Sequence, residues 1–166
     1  VAFSEFNLNR LSADIGTTVE KTVVFDGLTV DDVGDYDGQR NPTTLFTVTG
    51  TVLVKVFARC NTALTGATAT IKIGTTLSDA ALIPSTTATN LASDELWHDA
   101  TPDASIELSS ILTEKIVNQD IIQTVGTADI ESGELTYFCI WKPLSVGSKV
   151  EVAPLAEVTP EEDGEE

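Results

Sequence analysis

The sequence predicts an all-β protein: an antiparallel β-sandwich or jelly roll with an extended N-terminal arm and a disordered acidic C-terminal tail. Three observations predict it. The hydrophobic share is 42%, only 6% of residues are aromatic, and Val, Ile, Leu and Ala carry the rest beside abundant Thr. β-branched residues at that density favour strands. Several short stretches alternate apolar and polar residues with a period of two, and Gly, Asp and Pro punctuate them. No stretch sustains a helical period; SSILTEKIV (109–117) offers one or two turns.

Element by element, FSEFNLNRL has Phe3, Phe6, Leu8 and Leu11 without a period, so residues 1–18 read as an arm. TTVEKTVVFDG (17–27) reads as a strand closed by an Asp-Gly turn. An aspartate-rich stretch follows. In TLFTVTGTVLVKVFARC, Val52, Val54, Val56, Ala58 and Cys60 fall on one strand face and Leu53, Lys55, Phe57 and Arg59 on the other. The first set suits a core; the mixed second set suits a subunit contact. Gly50 marks a bend or bulge. ATATIKIG continues the alternation. Residues 79–103 read as polar and turn-rich around a short apolar segment, 80–83, and ASIELSS (104–110) as a short strand. The Ser132-Gly133 pair predicts a hairpin turn between IIQTVGTADI and ELTYFCIW, and Pro143 ends the last strong strand. Within YFCIW, Tyr137, Cys139 and Trp141 share one face and Phe138 and Ile140 the other, as in a central or subunit-contact strand. The expected domain spans 19–153 and the acidic tail 154–166. A chain of 166 residues holds a sizeable core in one such domain.

The net charge of −17 repels nucleic-acid backbones and anionic membranes, so neither is an expected partner. No apolar run reaches the eighteen residues of a membrane helix, and VAFSEFNLNR lacks the features of a signal peptide. Cys60 and Cys139 sit in apolar runs and read as buried thiols of a reducing compartment, with a disulfide between them the alternative that sequence leaves open.

Chemistry is sparse. In an EF-hand frame with Gly38 at the sixth position, Asp35 and Asp37 fit but Val33 and Thr44 fall where carboxylates belong. The aspartate run therefore reads as a solvated loop, with Asp32, Asp35 and Asp37 the side chains a looser calcium site would use. His98, the sole histidine, has no nucleophile motif around it and reads as a loop histidine bonded to a neighbour. One His and two distant Cys show no zinc spacing. No catalytic residue, metal or cofactor is assigned, and the chain is not expected to be an enzyme.

Three stretches resemble small structural proteins of tailed bacteriophages and prophages: TLFTVTGTVLVKVFARCNTALTGATATIKIG, IPSTTATNLASDELWHDATPDASIEL and DIIQTVGTADIESGELTYFCIWKPLS. The likeness covers about 43–145, close to two thirds of the chain, in run and order rather than in a catalytic signature. It implies a non-enzymatic virion component, foremost a capsid decoration (cement) protein. Such a protein assembles in the bacterial host cytoplasm and sits on the capsid exterior. Its partners are the major capsid protein and further copies of itself, as a homotrimer or homodimer. The interaction candidates are Phe3, Phe6 and Leu8 of the arm, with Leu53, Phe57, Arg59 and Trp141. A head-fibre, neck or tail component is the alternative within the virion. A calcium-assisted carbohydrate-binding module using Asp32, Asp35, Asp37 and Trp141 is the alternative outside it.

Overall fold

The computed structural model describes residues 16–27, 33–104, 106–107 and 111–155. Phe3, Phe6, Leu8, Asp32 and residues 156–166 of the acidic tail lie outside the described residues. Ten strands follow in order: β1 (Thr17–Phe25), β2 (Thr43–Thr49), β3 (Val52–Thr65), β4 (Thr70–Thr75), β5 (Ile83–Thr87), β6 (Leu96–Trp97), β7 (Lys115–Val117), β8 (Ile121–Gly126), β9 (Ser132–Pro143) and β10 (Lys149–Val152). A 3-10 turn, Ala88–Asn90, follows β5. The fold is the expected antiparallel sandwich. Sheet A runs β1-β9-β3-β6, with β7 also on β3, and sheet B runs β10-β2-β8-β4-β5.

The period-two pattern is what makes the sandwich. Val52, Val54, Val56, Ala58 and Cys60 are buried, as are Leu135, Tyr137 and Cys139 across the β3–β9 ladder. Opposite them lie Leu45, Ile71, Ile73, Ile121 and Val125 of sheet B. Alternating residues from both inner faces interdigitate into one core, as in other stacked sheets.

Three polar links cross that core. Tyr137 of β9 donates its hydroxyl to Gln123 Oε1 of β8 at 2.5 Å, with both side chains fully buried. Trp97 Nε1 of β6 donates to Thr86 Oγ1 of β5 at 2.9 Å. Lys21 points inward from the edge strand β1, and its Nζ donates to the carbonyls of Thr44 at 2.9 Å and Ala153 at 2.7 Å. Burial lowers the Lys21 pKa from its ordinary 10.5. An inward-facing charge on an edge strand also discourages a foreign strand from pairing there.

Several expectations need correction. Ser132-Gly133 is no hairpin turn: β8 lies in sheet B and β9 in sheet A, and the two residues begin β9. Gly133 is needed for another reason. Its φ is +126°, and a Cβ there would sit 2.5 Å from Leu64 Cδ2 and 2.8 Å from the Ala63 carbonyl. Glycine lets the start of β9 pass the end of β3 at close range. Gly50, expected at a bend, has φ +70° and stands where the chain leaves sheet B for sheet A. The turn-rich stretch 79–103 contributes β5, the 3-10 turn and β6. Ala104, Ile106 and Glu107 form no strand, whereas β10 adds one beyond Pro143.

Cys60 and Cys139 are free and buried, as expected. Cys139 pairs with Val56, four residues from Cys60 on β3. At about 3.3 Å per residue that is roughly 13 Å along the strand, beyond disulfide reach. Burial raises the Cys139 thiol to about 12. Burial, then the nearby Glu95 carboxylate, raises Cys60 to about 11. Neither is an activated nucleophile.

Candidate interaction face and histidine cluster

The outer face of sheet A follows from the same alternation that fills its inner face. Leu53, Lys55, Phe57 and Arg59 of β3 point out, and β9 places Lys142, Ile140, Phe138 and Thr136 beside them in that order. Phe57 and Phe138 are direct cross-strand partners, with ring centroids 4.9 Å apart and planes 14° from parallel. Such stacking contributes about 0.5–1.5 kcal/mol beyond burial. Leu53, Phe57, Phe138 and Ile140 are half-buried, and Ile116 of β7, opposite Leu53, is 68% exposed. An apolar stripe thus crosses β9, β3 and the edge strand β7 on an outward face.

Its charges are partly spoken for. Arg59 Nη2 bonds Asp94 Oδ1 at 2.6 Å, and Lys55 Nζ lies 3.5 Å from Glu114. Lys55, Arg59 and Lys142 nevertheless put three of the chain's nine basic residues on this one face. Glu20, opposite Phe138, and Glu134 stand on the same face, so basic and acidic side chains alternate around the stripe.

The structure brings Leu53, Phe57 and Arg59 together, as the sequence predicts. It places Trp141 elsewhere: the indole turns inward with Tyr137 and Cys139 and packs against the core. Phe138 and Ile140 take the outward role. Their alternation was legible in YFCIW, but their neighbours depend on β9 pairing with β3 over a separation of about eighty residues.

The aspartate loop is built as a turn. Asn41 holds it to β8, donating Nδ2 to the Tyr36 carbonyl at 2.6 Å and the Val125 carbonyl at 2.7 Å and accepting the Val125 N–H at 2.9 Å. Asp37 is exposed and Asp35 half-buried, and neither belongs to a group of three metal-ligating side chains among the described residues. A groove of about 610 Å³ lies between Pro42, Ile122, Thr124 and the 75–79 turn. Its one charged lining residue, Asp79, bonds Lys72 at 2.6 Å.

His98 stands in a different setting from the one expected. Its side chain is 9% exposed and three carboxylates surround it. Asp99 Oδ2 lies 3.8 Å from Nδ1; Asp103 Oδ2 and Glu107 Oε1 lie 3.8 Å from Nε2. Nε2 is buried without a hydrogen-bond partner. The sequence signal was four ionisable side chains within HDATPDASIE, at a spacing that fits no regular element.

No family model, curated protein or solved structure matches this chain. Among the described residues, no helix is long and apolar enough to cross a membrane.

Proposed function

We propose that this chain is a non-enzymatic structural protein of a tailed-phage virion, a capsid decoration protein whose copies meet through the outer face of sheet A. The observation that carries the reading is the apolar stripe Leu53–Phe57–Phe138–Ile140 with its stacked phenylalanines. A self-associating shell component needs such a face on a stiff frame, and the long β3–β9 ladder supplies the frame. The resemblance of residues 43–145 to phage structural proteins supplies the biological setting. Attachment to the shell falls to the arm residues Phe3, Phe6 and Leu8. Binding only the assembled shell stabilises that shell by mass action.

The test is the abundance of this protein in purified particles, measured by quantitative mass spectrometry against the major capsid protein. The expected ratio lies between about one to one and one to three, since closed symmetric units repeat over the lattice. A ratio of a few per cent would move the protein to the neck, tail or fibres. Absence from particles would overturn the virion reading.

A further inference from the structure

We propose that His98, Asp99 and Asp103, with Glu107 beside them, form a binding site for one divalent transition-metal ion of the zinc class, independent of the virion reading. The decisive atom is His98 Nε2. It is buried, lacks a hydrogen-bond partner, and faces Asp103 Oδ2 and Glu107 Oε1, each at 3.8 Å. A buried imidazole nitrogen without a partner is costly unless something fills the role. At 3.8 Å neither carboxylate fills it directly, because a hydrogen bond needs about 2.7–3.2 Å. Two ligands of one zinc ion, each about 2.0–2.2 Å from the metal, stand roughly 3.0–3.6 Å apart. His98, Asp99 and Asp103 each offer one ligand atom, all within 4.8 Å of one another, and a closure of about an ångström brings them to that spacing.

Asp99 is held in place by the backbone. Its Oδ2 lies 3.8 Å from Nδ1, and its other oxygen, Oδ1, accepts the Thr101 N–H at 2.7 Å, which fixes the carboxylate. It belongs to the same ligand-sized group as His98 and Asp103.

The scaffold holds the donors near one another. Leu96 and Asp103 exchange two backbone hydrogen bonds of 2.9 Å, closing the loop that carries His98. Trp97, fully buried and bonded to Thr86, anchors the next residue, so His98 has little freedom to turn away. Asp103 remains 45% exposed, which leaves a route for the ion and an open position for water or a further donor. One nitrogen and two carboxylates suit zinc-class ions; calcium favours an all-oxygen shell.

The experiment uses the full chain and zinc chloride. Because His98 is the sole histidine, a long-range proton–nitrogen spectrum reports this imidazole alone. Zinc is expected to move Nε2, with isothermal titration calorimetry giving one ion per chain. His98→Gln, Asp99→Asn and Asp103→Asn are expected to weaken binding at least about tenfold, and Glu107→Gln by less. Variants are read only where circular dichroism matches the parent protein; the spectrum of the parent decides the matter without them. An unmoved Nε2, an imidazolium that persists with zinc present, or zinc binding that survives His98→Gln would overturn the site. Calcium binding as tight as zinc would equally remove Nε2 from the role.

Discussion

Tyr137 shows how a single side chain joins the two sheets. Its hydroxyl is buried between them and has Gln123 Oε1 as its partner. Tyr137→Phe strands that amide oxygen and is expected to lower stability by about 1–3 kcal/mol at neutral pH, read by urea denaturation. The same residue has an alkaline signature. Burial, then the Cys60 charge, raises its pKa well above 10.0, and the Cys139 thiol rises from 9.0 to about 12. A group whose folded pKa is raised holds fewer protons in the unfolded chain over that window, so its stabilisation is complete below the unfolded value and is lost above it. Lys21 works in the opposite sense below 10.5, because its pKa is lowered. With two thiols and a phenol against one amine, stability is expected to fall as pH rises above about 9. The decline should be shallower in Tyr137→Phe. Equal slopes in the two proteins would mean the phenol ionises without unfolding.

Among the strands, period-two alternation decided which side chains face inward, and the chain obeys it closely in β3 and β9. Pairing partners are another matter. Of consecutive strands in this order, β4 and β5 pair with each other, while most other steps cross between the sheets. A Ser-Gly pair between two apolar runs therefore looked like a hairpin and is instead the start of β9, crowded against β3. Gly133→Ala is expected to destabilise by about 2–4 kcal/mol, since it combines a disfavoured backbone with overpacking against Leu64. Urea denaturation reads this too; a loss below half a kilocalorie would mean the β3–β9 crossing relaxes freely.

Across the whole molecule, charge and apolar surface pull in opposite directions. A net charge of −17 makes copies repel, so a homotypic contact belongs where basic residues and apolar surface coincide. The outer face of sheet A is such a place. Phe57→Asp is expected to abolish self-association in sedimentation velocity while leaving the fold intact, because the side chain faces outward. Raising salt should tighten association of the parent protein, as the charges are screened within about 10 Å at 0.1 M. A parent protein that remains monomeric at every salt concentration would remove this face from the interface role.

The sequence by itself determined the all-β class, the core face of β3 and the burial of the two thiols. Each depends on local alternation and composition, which are properties of neighbouring residues. Tertiary structure alone decided that Phe138 joins Phe57 and that His98 meets Asp103 and Glu107. The first depends on which strand lies beside β9. The last depends on an irregular loop closed by Leu96 and Asp103, where no period exists to be read. Sequence spacing carries side-chain direction along a strand, but contact across strands and loops is settled only by packing the whole chain.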